Sequence, residues 1–383
     1  MKKLLINLLI ITLIYISVPL VLAMNPVVRQ ATIQKYVRSP LAKNAPIFYL
    51  SPSPVSSPSV VMSPSGRYIA VSSYRQKSST EGIWIGDRQT GKWKKIWDHV
   101  GEIQWMPDES EMIATVGGEG EWQFGKHQPN CTFYRLPLHG RVSQMTILTN
   151  VYEWKVIPDA SGLVATRAHA QRKRDRYTDI QVEVQVYSFA KRLWHSVHIE
   201  AFKWYDSDYP GTHLSIRKHK GDWVINYVEG MTGDNSGLWV NLTTSQSKSA
   251  REGSDELEFS PDGHYVVDGN QLFRARSWPL PQLMRDHRNC ALKNTILIFS
   301  VANTYAHWSP DGRYIAYDLE LIKKGSGCIV FNLKGKAVSH PTEAFAGWVG
   351  KQQLLLYTGN SYIIRSLDGS SSKEVFRFKW LKN

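Results

Sequence analysis

The densest group of chemistry-bearing side chains is Arg172-Lys173-Arg174-Asp175-Arg176, four cations in five positions. Further along lies an aromatic run, Phe202-Lys203-Trp204-Tyr205-Asp206-Ser207-Asp208-Tyr209. Guanidinium and ammonium groups beside Trp and Tyr rings suit an anionic partner: an acidic protein surface, an anionic glycan or a phospholipid head group. Arg172, Lys173, Arg174, Arg176, Trp204, Tyr205 and Tyr209 are therefore the candidate binding residues. The competing reading is a solvated basic loop whose aromatics pack on a sheet edge. Nucleic acid fits poorly, because Glu229 and Asp234 in the neighbouring segment oppose the charge.

Residues that could carry catalysis do not assemble into a motif. The chain has no His-Glu-x-x-His, no phosphate-cradling glycine loop, no Cys-x-x-Cys and no Gly-x-Ser-x-Gly. Gly117-Gly118-Glu119-Gly120 has the glycines of a phosphate loop but no lysine at the needed spacing. The twelve histidines are scattered, and the closest pair, His195 and His198, falls in an expected strand. Three-residue spacing in a regular strand sends the two rings to opposite faces, which argues against a shared metal. Asp108, Asp159, Asp262 and Asp311 form a periodic carboxylate series, yet each occupies a turn position, so structure explains them. The reading is non-enzymatic, with no metal and no cofactor.

What must position these residues is an internal repeat. Three copies are plain: Met62-Ser-Pro-Ser-Gly-Arg-Tyr-Ile-Ala-Val71, Phe259-Ser-Pro-Asp-Gly-His-Tyr-Val-Val267 and Trp308-Ser-Pro-Asp-Gly-Arg-Tyr-Ile-Ala-Tyr317. Degraded copies begin at Trp105 and Val156, so the prolines stand at 64, 107, 158, 261 and 310. The gap of 103 between the third and fourth is close to two periods, which predicts a cryptic copy in Leu214–Tyr227. A last copy covers Trp348–Tyr357, making seven. Each copy reads as a hairpin. Proline fixes φ at the first central position of the turn, aspartate bonds its own downstream backbone, and glycine takes the left-handed position. A second strand pair follows each hairpin, as in Gly82–Trp97 and Gly327–Val338. Four strands every 40 to 60 residues is a β-propeller blade, so the expectation is an all-β, seven-bladed β-propeller of four-stranded antiparallel blades.

The Ser-Pro-Asp-Gly-Arg-Tyr-Ile-Ala core resembles the WD40-like repeats of the TolB family and of prolyl oligopeptidase propellers. The resemblance covers most of residues 59–380 and is carried by three strong copies. It implies a propeller fold and, for TolB, a periplasmic setting. TolB-type proteins add an N-terminal α/β domain and usually have six blades. There is no room for that domain here, so TolB's partners are not carried over.

Lys2 and Lys3 before the apolar run 4–18, then Pro19 and Val21-Leu22-Ala23, read as a signal peptide cut before Met24; an uncleaved membrane anchor is the alternative. Residues 24–58 are expected to be an extended Ser/Pro-rich lead-in with at most an edge strand at 47–50, and 59–383 the propeller. Net charge is +13, or +11 once the two leader lysines are gone. Three cysteines in 383 residues cannot form a disulfide framework. Cys131, Cys290 and Cys328 are expected as thiols, because the blade assignment sets them too far apart to bridge. Long second-to-third-strand loops are expected at 72–82, 117–130, 168–181, 228–237 and 319–327. Taken together, the sequence describes an exported monomeric scaffold, periplasmic or secreted, that binds a cell-envelope protein. A propeller hydrolase or lyase acting on a glycan or peptide in the central channel is the alternative, and a secreted factor aimed at a host partner is a third reading.

Overall fold

The computed structural model describes residues 37–50, 59–73, 81–117, 130–174, 177–205, 212–219, 221–229, 236–250, 257–268, 271–274, 306–321 and 325–380. The expected signal peptide at 1–23, Arg176, Tyr209 and Cys290 lie outside the described residues. Residues Arg38–Asn383 form one compact unit, distinct from Met1–Val37. Among the described residues no helix is long and apolar enough to cross a membrane.

The strands form separate antiparallel sheets in chain order, each laid down strand beside next strand. The first is Ser59–Met62, Tyr68–Ser73, Gly82–Asp87 and Lys92–Trp97. The second is Ile103–Trp105, Glu111–Val116, Cys131–Pro137 and Ser143–Leu148. The third is Val151–Val156, Gly162–Arg174, Tyr177–Ser188 and Leu193–Tyr205. The fourth, Thr212–His219, Asp222–Glu229, Ser236–Asn241 and Ser247–Ala250, is the cryptic repeat. A three-stranded sheet, Leu257–Phe259, Tyr265–Asp268 and Gln271–Arg274, comes next. It is followed by Ala306–Trp308, Tyr314–Leu321, Gly325–Asn332 and Ala337–Ser339, then by Ala344–Val349, Gln353–Tyr357, Ser361–Ser366 and Ser372–Trp380. Six sheets thus carry the full complement of four strands, whereas seven such blades were expected. The sheet around Phe259 has three among the described residues.

The turn chemistry is as the motif dictates. Ser309 Oγ accepts the Tyr314 N–H at 2.9 Å and donates to Asp311 Oδ1 at 2.8 Å. Gly312 takes φ +68°, where a side chain would be strained, and its N–H reaches the Ser309 carbonyl at 2.8 Å. Ser260 repeats the pattern with Asp262 at 2.6 Å and Tyr265 at 2.9 Å. In the degraded copies the left-handed position is filled by Glu109 (φ 60°) and Ala160 (φ 61°), while Asp108 and Asp159 still accept the N–H two residues on. All four aspartates are turn residues, as expected.

The core lies between sheets rather than within one. Val164, Val182, Val184, Val186 and Val197 of the third sheet pack with Leu214, Ile225 and Val240 of the fourth. Cys131 and Cys328 are buried strand residues, and no disulfide joins them.

The lead-in departs most from expectation. Instead of a plain extended run, Ser39 caps a one-turn helix, Pro40–Lys43, its Oγ accepting the Ala42 N–H at 3.1 Å. The edge strand expected at 47–50 is present as Phe48–Leu50, which pairs in parallel with Phe378–Trp380 and is one of two strands from before residue 59 that bring the last sheet to six. Leu41 and Phe48 are buried in one cluster with Ile69 and Val71 of the first sheet and Leu355, Val375 and Phe376 of the last. Trp93 Nε1 donates to the Leu41 carbonyl at 3.0 Å, Asn44 Nδ2 donates to the Gly91 carbonyl at 2.9 Å, and Ser39 N–H reaches the Glu374 carbonyl at 3.2 Å. Gly91 has to be glycine, because a Cβ there would lie 2.9 Å from Pro40 Cβ. The segment is a strap across the join of the first and last sheets.

Candidate functional site

The third sheet is built differently from the others. Its second, third and fourth strands have 13, 12 and 13 residues, against six for most strands of the first two sheets. At about 3.3 Å per residue they run roughly 20 Å further. The inner strand does not follow them, since its pairing ends at Val151↔Arg167. Val, Ile and Tyr dominate Tyr177–Ser188 up to its end, which is why the ladder continues where a loop was expected. The expected loop at 168–181 is therefore a ribbon, and the expected inter-blade connection at 202–209 is strand through Tyr205.

That extension brings most of the candidate residues together. Arg174 pairs with Tyr177, which pairs with Tyr205. Lys173 pairs with Thr178, which pairs with Trp204. Arg172 pairs with Asp179, which pairs with Lys203. Two outer rows thus join a cation to an aromatic with no carboxylate, and the third sets an aspartate between two cations. Arg172, Lys173, Arg174, Trp204 and Tyr205 share one ribbon end; Arg176 and Tyr209 lie outside the described residues.

The base of the ribbon is pinned. Arg167 donates from Nε to the Thr149 carbonyl and from Nη2 to Thr149 Oγ1, both at 2.7 Å, and from Nη1 to Glu183 Oε2 at 3.0 Å. Its side chain is mostly buried, so the pair anchors more firmly than an exposed one. At the opposite end of the sheet, Asp159 Oδ2 accepts the Trp223 Nε1–H at 2.5 Å, tying the third sheet to the fourth. Burial pushes the Asp159 carboxyl up, but the Ser161 and Trp223 hydrogen bonds outweigh it and hold the group below the usual range.

Two features escaped the sequence reading. A register shift between Val184 and Gln185 absorbs one residue, so His195 stands opposite Val186 and His198 opposite Val184. Those valines are two apart, so the bulge places both histidines on one side of the strand, where a regular strand would separate them. Among the described residues no group of three His, Cys, Asp or Glu side chains is placed to hold a metal ion. The second feature is Arg217, 5% exposed between the rings of Phe259 at 3.7 Å and Trp239 at 4.8 Å. Burial drags its pKa down to about 9. It holds the fourth sheet to the next by cation–π contact, and nothing in Leu214–Tyr227 marked it, since its ring partners come from other strands.

No family model matches the chain, and no curated protein matches it either. Solved structures do. The β-propeller domain of the trilobed protease from Pyrococcus furiosus aligns over 84% of this chain and 99% of that one, at 9% identity and TM-score 0.50. Acylaminoacyl peptidase from Pyrococcus horikoshii aligns over 84% of this chain but 52% of its own, at 9% identity and TM-score 0.53. TolB from Acinetobacter baumannii aligns over 82% and 77%, at 13% identity and TM-score 0.39. At such identities the likeness is one of fold, and the fold is a β-propeller.

Proposed function

We propose that this chain is an exported binding scaffold, a seven-bladed propeller in which the three-stranded sheet around Phe259 counts as a blade, and that it engages an acidic protein of the cell envelope without catalysing a reaction. The observation that carries the reading is the ribbon of the third sheet. Lys173 is set in the same row as Trp204 and Arg174 in the same row as Tyr177 and Tyr205, with Arg172 in the row beside them, on an extension clamped at Arg167. A propeller whose third sheet has the longest strands among the described residues, ending in cations and aromatics, is suited to recognition. The resemblance of the repeats to TolB and the apolar leader support export.

The test is affinity capture from envelope extracts with the mature protein, beside a variant neutralised at Arg172, Lys173, Arg174 and Arg176. A partner held through this ribbon should be lost on neutralisation. Its binding should also weaken as salt rises, because exposed charges are screened over about 8 Å at physiological ionic strength. A partner indifferent to both changes would reject the ribbon as the site. Anionic vesicles and a sulfated glycan in parallel separate a protein partner from a lipid or glycan one.

A further inference from the structure

We propose that the acidic partner adds a β-strand to the inner edge of the ribbon, along residues 168–174. This rests on the reading above and names its mode of engagement. The geometry is a matter of backbone accounting. Each strand has two hydrogen-bonding edges, and Gly162–Arg174 uses one of them against Tyr177–Ser188 along its whole length, from Gly162↔Ser188 to Arg174↔Tyr177. The other edge is covered by Val151–Val156 only as far as Arg167. Beyond it, among the described residues, no strand pairs with 168–174 on that side. A row of N–H and C=O groups about seven residues long with no strand partner among the described residues is a template for another strand.

The residues on that edge select what can use it. Arg172, Lys173 and Arg174 occupy three consecutive positions of that edge, so an incoming strand pairs beside cationic residues in either register. A second copy of this chain, bringing the same cations to the edge, is opposed by like charge. An extended segment carrying Asp and Glu is favoured for the same reason. The register shift between Ala170 and Arg172 lies on the paired side, against Tyr177–Ser188, and increases the local twist. The clamp of Arg167 on Thr149 and Glu183 sits where the covered edge becomes uncovered, and it fixes the template before the partner arrives.

The experiment uses the whole mature protein and a labelled ten-residue peptide alternating Glu with Val. Two further peptides have the same sequence but carry backbone N-methyl groups, one at the odd and the other at the even positions. N-methylation removes hydrogen-bond donors and leaves the charge unchanged. In a ladder only alternate residues present their N–H to the neighbouring strand, so one methylated peptide should bind at least tenfold more weakly and the other within about threefold of the parent. Hydrogen exchange should then show new protection at alternating amides within 168–174. Equal binding of all three peptides, equal loss from both methylated ones, or no binding of the parent each overturns strand addition. Equal binding that still disappears in the four-residue neutralised variant would leave the charge-based reading standing, which separates the two failures.

Discussion

Trp308 donates its indole N–H to the carbonyl of Glu258 at 3.0 Å while its ring lies 6.4 Å from that of Tyr265, both on the preceding sheet. Trp348 does the same to His307 at 3.0 Å, with Tyr314 at 6.4 Å. Trp105 does so to Val61 at 3.5 Å, stacked on Tyr68 at 5.9 Å. The tyrosine of one repeat motif and the tryptophan of the next therefore form a clasp between neighbouring sheets. Trp308→Phe should keep the packing and lose the hydrogen bond, costing about 1 kcal/mol. Trp308→Ala should cost about 3–5 kcal/mol. Urea unfolding followed by circular dichroism measures both; an unchanged stability in Trp308→Phe would mean the indole N–H contributes nothing, and equal losses in the two variants would mean the ring packing adds nothing to it.

Ala160 holds φ 61° at the turn position that the better-kept repeats give to glycine. A Cβ in the left-handed region costs about 1–2 kcal/mol, more than the chain entropy that glycine restores to the unfolded state. Ala160→Gly should therefore stabilise the protein by a few tenths to about 1 kcal/mol, seen as a higher melting temperature. A lower one would show that the turn is not strained.

Tyr362 is pushed up to about 12 by burial first and by the neighbouring Tyr357 second. An unfolded tyrosine ionises near pH 10, so above that pH the unfolded chain releases a proton that the folded one keeps. Stability from this group is intact below pH 10 and is lost as pH rises toward 12, at about 1.4 kcal/mol per pH unit. Tyr362→Phe should flatten that part of the alkaline stability curve and leave the neutral region within about 1 kcal/mol of wild type. An unchanged slope in the variant would assign the alkaline loss elsewhere.

Phe48 lies in a segment whose composition reads as linker, yet its ring sits 5.4 Å from Trp93 and 5.3 Å from Phe376. Phe48→Ala should cost about 3–5 kcal/mol, as for a core phenylalanine. Trp93 emission should shift to the red as its surroundings open to water. A loss under 1 kcal/mol would return the strap to the status of a surface tail.

The propeller was legible because its turns are chemically demanding. Ser-Pro-Asp-Gly survives wherever Ser309 or Ser260 must satisfy the hairpin backbone, and its spacing exposed the hidden fourth sheet. The strap was legible only in part: the run at 47–50 reads as an edge strand, and Phe48–Leu50 is one, but nothing marked the helix at Pro40–Lys43 or the burial of Leu41 and Phe48, whose partners lie in distant strands. The ribbon was half legible. Arg172, Lys173 and Arg174 announced themselves by charge, but polar residues at 168–174 gave no strand periodicity, and the ladder there is imposed by Tyr177–Ser188 and Leu193–Tyr205. His195 and His198 were misjudged because a bulge leaves no mark on periodicity.

Pairing Phe48 with Phe378 has a kinetic meaning. The two are about 330 residues apart, and a ring fastened this way can close only after the final strand exists. The part of the chain synthesised early is thus among the last to find its place. Loop-closure entropy grows only as the logarithm of length, so the finished latch costs little for its reach. Until the final strand forms, Leu41, Phe48 and the faces they cover stay bare, and this seam is where an incompletely made or truncated chain should aggregate or recruit a chaperone.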